Sequence, residues 1–122
     1  MNTQCRLVSF LLALLIITTH TGCVTFRHYE LTARNATPGV VDRVRVTFDE
    51  EKHFEWGVMG HNVEKSALLM PGPLGRMAVI EWEDTAKKQY RQSVLIPRNK
   101  VWNAIEFTLE KDGTVSVKTQ WK

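Results

Sequence analysis

The chain is 122 residues long, with 43% apolar, 24% charged and 9% aromatic residues and a formal net charge of +3. That length fits one small domain, and the composition excludes both a disordered tail and a protein of several membrane spans. The charge is too mild to attract nucleic acid by bulk electrostatics, so no nucleic-acid partner is expected.

The first feature in chain order is a leader. Met1–Gly22 has a short polar start carrying Arg6, an apolar run from Leu7 to Ile17 broken only by Ser9, and a polar stretch that ends at Gly22. This is the three-part layout of a secretory signal. The apolar run is 11 residues, whereas a bilayer core takes about 20, so a permanent span is excluded. The run is apolar on every side and lacks the stripe of a helix packed on a domain. Removing 22 of 122 residues leaves 100, and losing Arg6 from 16 basic residues leaves 15 against 13 acidic ones.

Thr21-Gly22-Cys23, directly after the apolar run, resembles the lipobox of bacterial lipoproteins, in which small residues precede a lipidated cysteine. The resemblance covers the leader alone, and His20 stands where the family usually has Leu. It implies that Cys23 becomes the first mature residue and carries the acyl chains, palmitate included. Each chain would contribute on the order of 10 kcal/mol of insertion free energy. By the same resemblance Val24, which is not Asp, implies delivery to the periplasmic face of the outer membrane. Ordinary signal cleavage near the same place is the alternative. Cysteine counting agrees with lipidation: Cys5 leaves with the leader, and thioether attachment removes the liability of an unpaired exported Cys23 thiol.

From Val24 onward the hydrophobic pattern has period two, the period of a strand. The expected strands begin with Phe26 to Arg34, with Tyr29, Leu31 and Ala33 inward. The inward sets that follow are Val44, Val46 and Phe48; Phe54, Trp56 and Val58; Ala78, Ile80 and Trp82; Tyr90, Gln92, Val94 and Ile96; Ile105, Phe107 and Leu109; and Val115, Val117, Thr119 and Trp121. Leu68 to Met70 reads as a short edge strand. Val63 to Met70 is the best helical window, but eight residues ending at Pro71 are marginal alone. Asn35-Ala36-Thr37 initiates a loop. Seven or eight short strands with Gly and Pro between them predict an all-β, antiparallel two-sheet sandwich of immunoglobulin-like type over residues 23–122, following a cleaved signal helix.

Register can be argued from parity. A two-residue Asp112-Gly113 turn would set apolar residues opposite polar ones, whereas a three-residue Lys111-Asp112-Gly113 loop pairs Leu109 with Val115 and makes Gly113 left-handed. The same reasoning predicts an odd loop between Phe48 and Phe54 centred on Glu51, and another between Trp82 and Tyr90 centred on Ala86. Three hairpins result. The order Phe54-Glu55-Trp56-Gly57-Val58, Pro71-Gly72-Pro73, Ala78-Val79-Ile80-Glu81-Trp82 is similar to small envelope lipoproteins with an immunoglobulin-like sandwich, over about half the mature chain. That resemblance implies no catalytic residues.

A search for converging chemical groups finds none. His28 and His53 fall on solvent faces and His61 in a turn, with no metal-ligand spacing, so no metal or other cofactor is expected. Ser66 and Ser93 lack a nucleophile setting. Asp49-Glu50-Glu51 and Glu81, Glu83 and Asp84 are read as solvated charges beside loops, not as a glycosidase pair. Pro71 to Arg76 is a turn without phosphate-binding spacing. Lys87, Lys88, Arg91, Arg43 and Arg45 read as a weakly basic wet face. Trp56 and Trp82 belong to the core. Trp102 and Trp121, near Arg98 and Lys100, either close the ends of the sandwich or contact a sugar or peptide ligand. The expectation is a lipid-anchored envelope protein with a non-catalytic binding or structural role beside an envelope protein partner. The alternative is a glycan- or peptidoglycan-binding module using Trp102 and Trp121.

Overall fold

The structure, a computed structural model, describes residues 28–49, 52–71, 74–98 and 101–122. The leader, its lipobox-like end and Cys23 lie outside the described residues, as do Phe26, Glu50, Glu51 and Lys100. No helix among the described residues is long and apolar enough to cross a membrane.

Eight strands follow one another: β1 His28–Asn35, β2 Val41–Phe48, β3 His53–Met59, β4 Glu64–Pro71, β5 Met77–Glu83, β6 Gln89–Leu95, β7 Ala104–Leu109 and β8 Val115–Gln120. They form two four-stranded sheets, ordered β4-β1-β7-β8 and β3-β2-β5-β6. The two-sheet all-β sandwich is therefore the architecture, with a strand order of its own. Immunoglobulin constant-type domains put the first, second, fourth and fifth strands in one sheet; here β2, β3, β5 and β6 share one.

Successive strands alternate in direction, so two odd-numbered neighbours must run the same way. That is why β1 and β7 pair in parallel, Glu30 to Ala104 through Asn35 to Leu109, while the other ladders are antiparallel. The alternation gives the sandwich two distinct ends. At the Asn35 end lie the β1–β2, β3–β4, β5–β6 and β7–β8 connections. At the His28 end lie the start of β1, the β2–β3, β4–β5 and β6–β7 connections, and Lys122.

Two hairpins follow the parity argument. Leu109 pairs with Val115, the Glu110 N–H donates to the Thr114 carbonyl at 2.9 Å, and Gly113 has φ +86°, where a Cβ would be strained. Trp82 pairs with Tyr90 about a loop centred on Ala86. The β2–β3 hairpin keeps its odd parity but turns sooner than expected: Val46 faces Phe54, and the Phe48 N–H donates to the Lys52 carbonyl at 2.6 Å. Phe48 thus faces Lys52 and not Phe54.

The core is built from the inward residues of both sheets, with Trp82, Phe107, Leu31, Met59, Ile80 and Ile105 among its largest fully buried side chains. Trp56 and Trp82 belong to it, as period two predicts. The expected inward Val58 is a correction: Val58 is exposed and Met59 fully buried. The register shifts between Val44/Gly57 and Arg45/Glu55, with Gly57 at φ +74°, so one extra residue reverses the phase of β3. A compensating extra residue occurs in β2, where Arg43 has φ 54° and the register shifts against both β3 and β5. Asp42 and Arg43 both face out there, and Val41 and Val44 both face in.

β4 is also longer than the expected Leu68 to Met70. It has no alternation of its own in Glu64-Lys65-Ser66, and no helix forms over Val63 to Met70. The free edge of β1 offers its backbone groups a ladder from His28 to Arg34, and pairing overrides the weak local signal. Pro71 ends this edge strand, where a missing N–H is tolerated.

Candidate functional site

The Asn35 end is held together by one side chain. Asn35 is 0% exposed. Its amide donates to the carbonyls of Gly39 at 2.8 Å, Met59 at 3.1 Å and Gly60 at 3.1 Å. Its carbonyl oxygen accepts from the Thr37 N–H at 3.0 Å and the Thr37 hydroxyl at 2.5 Å. Asparagine is suited to this because it offers two donors and an acceptor on one short side chain. Its backbone extends the same staple: the Asn35 N–H donates to the Val63 carbonyl, and the Asn35 carbonyl accepts from Asn62. His61 Nδ1 lies 2.6 Å from the Thr37 carbonyl and donates to it. The loop-initiating role expected of Asn35 is thus filled from inside the fold.

Beside this staple, three connections surround a cavity of about 310 Å³, lined by Thr37, Val40, Trp82, Thr85, Tyr90 and Lys111 among others. That volume reaches the lower end of small-ligand sites. Tyr90 organises the walls. Its ring stacks on Trp82, centroids 5.1 Å apart and 6° between planes, with Lys88 Nζ 5.1 Å from the Tyr90 centroid. Its hydroxyl donates to Asp84 Oδ2 at 3.1 Å. A Cβ on Gly113 would lie 3.3 Å from Tyr90 Cε1, a tight contact, and the φ of +86° favours glycine there as well. The N–H groups of Lys88 and Ala86 also donate to Asp84 Oδ1. The Lys88 N–H, then the Tyr90 hydroxyl and the Ala86 N–H, hold the Asp84 carboxyl below its ordinary range against the opposing effect of desolvation.

Of the basic residues singled out by sequence, Arg43, Arg45, Lys87 and Arg91 pair with acidic side chains of the β3-β2-β5-β6 sheet, while Lys88 lies over the Tyr90 ring. Arg45 is 3.9 Å from Glu55, Arg91 3.5 Å from Glu81, and Arg43 and Lys87 are 3.8 and 3.5 Å from the two oxygens of Glu83. Glu83 is a correction to the reading of solvated acidic residues. It is buried, with Gln89 Nε2 donating to it at 3.1 Å. It faces outward on β5 but lies beneath the ends of Arg43 and Lys87, cover that comes from neighbouring segments and is invisible in the local sequence.

The remaining singled-out residues cluster at the opposite, His28 end. Trp102 is 8% exposed, its ring centroid 5.0 Å from that of Tyr29, and its Nε1–H donates to the Pro97 carbonyl at 2.8 Å. Trp121 lies past the end of β8 and is 64% exposed. Of the two, only Trp121 presents a ring to solvent. Arg98 is exposed in the β6–β7 connection, and Lys100 falls outside the described residues. Among the described residues no group of three His, Cys, Asp or Glu side chains could hold a metal ion.

No family model matches this sequence, and no curated protein matches it significantly. A solved structure of similar shape is the NMR structure of a protein from Eubacterium rectale, with a TM-score of 0.53 and 12% identity over 79% of this chain and 91% of that chain. At that identity the likeness is one of fold alone.

Proposed function

We propose that the chain is a lipoprotein of the bacterial cell envelope, tethered through Cys23 at the periplasmic face of the outer membrane, and that its Asn35 end is a non-catalytic binding surface for an envelope protein partner. The observation that carries this reading is the polarity of the sandwich. The chain enters at His28, five residues after Cys23, and the cavity lies at the other end of the strands. Five residues reach at most about 18 Å, and an eight-residue strand adds about 26 Å. The connections around Tyr90 would thus stand roughly 25–45 Å from the bilayer, turned towards the periplasm.

The test is envelope crosslinking with a photoreactive residue at Thr85 or Lys111, beside the cavity, or at Ser93 on the outer sheet face, together with palmitate labelling. The expected result is label in the parent chain and none in Cys23→Ser, with a recurring protein adduct from Thr85 and Lys111 that Ser93 does not give. Absence of label overturns the tether. Labelled protein giving the same adducts from all three positions, or none, overturns the binding surface.

A further inference from the structure

The described residues include seven large, exposed apolar side chains, and four of them, Met77, Leu95, Val101 and Trp121, are placed by the topology at the His28 end. Met77 and Leu95 are partners across the last rung of the β5–β6 ladder. Val101 precedes β7, and Trp121 follows β8. Leu95 is 72% and Val101 64% exposed, as open as Trp121. Single exposed apolar side chains are ordinary, but several gathered at one end mark an interaction surface.

The charges at this end are mixed: the β2–β3 connection carries Asp49-Glu50-Glu51, and the β4–β5 and β6–β7 connections carry Arg76 and Arg98. Arg76 and Arg98 are exposed, and neither forms an ion pair with a described residue. Lys122 is spent on Glu30, at 2.6 Å, and the Asp49 carboxylate accepts the Arg76 backbone N–H at 2.9 Å. Exposed tryptophan and aliphatic groups among mixed charges match the chemistry of a bilayer interface, where indole rings sit at headgroup level.

We infer that the His28 end is a second membrane contact, with Trp121, Val101, Leu95 and Met77 resting in the headgroup region. The inference rests on the proposed tether at Cys23. A link of at most about 18 Å holds this end at a millimolar effective concentration beside the bilayer, so a patch too weak to bind from solution stays down once tethered. The domain then stands on the membrane in a fixed orientation instead of swinging on its lipid.

The test uses the full lipidated chain reconstituted in phosphatidylethanolamine and phosphatidylglycerol vesicles, with ordinary or brominated acyl chains. The Trp121 emission is obtained as the difference between the parent chain and Trp121→Phe. The expected result is flotation of both chains with the vesicles, loss of most of that difference signal in brominated lipid, and its recovery in Leu95→Glu/Val101→Glu, which still floats. Flotation with a Trp121 signal equally bright in both lipids overturns the inference and leaves the tether standing. Failure to float overturns both. A signal that shifts with soluble peptidoglycan fragments and not with vesicles assigns the patch to glycan and also overturns it.

Discussion

Replacing Asn35 by alanine should be among the most damaging single changes in the domain. The amide has two hydrogens and faces three carbonyls, those of Gly39, Met59 and Gly60, so one hydrogen is shared, and the carbonyl oxygen takes two donors from Thr37. A net hydrogen bond contributes about 0.5–1.5 kcal/mol. Four bonds, partly replaceable by water where the site is half-open, suggest a loss of about 2–4 kcal/mol. In a domain of this size that lowers Tm by roughly 10–25 °C. Asn35→Asp separates hydrogen bonding from shape. It sets a carboxylate against three carbonyl oxygens, which raises its folded-state pKa. That variant should be less stable than Asn35→Ala at pH 7 and regain stability as the pH falls towards about 4, where the carboxyl takes up a proton. Urea unfolding followed by tryptophan emission measures both. If Asn35→Ala lies within about 0.5 kcal/mol of the parent chain, or if Asn35→Asp equals or exceeds it at neutral pH, the staple does not hold this end together.

Three further outcomes are expected. Gly113→Ala, at φ +86° and 3.3 Å from Tyr90, should cost about 1–2 kcal/mol, whereas Gly39→Ala, with nothing within 4 Å of its Cβ position, should change stability by less than about 0.5 kcal/mol; equal effects in thermal melts would count against the close hairpin contact. The Asp84 carboxyl is lowered chiefly by the Lys88 N–H, and that of Asp112 by the Thr114 hydroxyl and N–H. Both therefore contribute stability above their ordinary 3.8 that is lost as pH falls through the lowered values, and Asp84→Asn/Asp112→Asn should flatten the acid limb of the stability profile. Trp102→Phe removes the bond to Pro97 and part of the packing on Tyr29, and should cost about 1–3 kcal/mol; Trp121→Phe should leave the urea midpoint unchanged, and the reverse order would refute the burial assignments.

Much of the fold was legible because parity is strict in a half-buried sheet. Leu109, Val115 and Gly113 fix one loop length, and Trp82 and Tyr90 fix another, since any other register sets oil against water. Parity does not say how far a hairpin runs before turning, and Phe48 accordingly meets Lys52. The paired bulges were partly visible. Val41 lies out of phase with Val44, Val46 and Phe48, and Met59 out of phase with Phe54 and Trp56; those two breaks, with Gly57 between Trp56 and Val58, carry the signal. Glu83 and Trp102 had no such mark. Their burial depends on Arg43 and Lys87 in one case and on Tyr29 and Pro97 in the other. The cavity was equally hidden, because it exists only where three connections distant in sequence converge.

The parallel pairing of β1 with β7 also sets the order in which the domain can be completed. Strand β1 lies between β4 and β7, so its second neighbour is synthesised only after five intervening strands. Loop closure of that length places the chain among slow folders, on the millisecond-to-second scale. A ribosome-bound polypeptide lacking its last twenty residues would leave one side of β1 open, able to recruit another chain, and the interval before β7 emerges is when a holding chaperone would matter most.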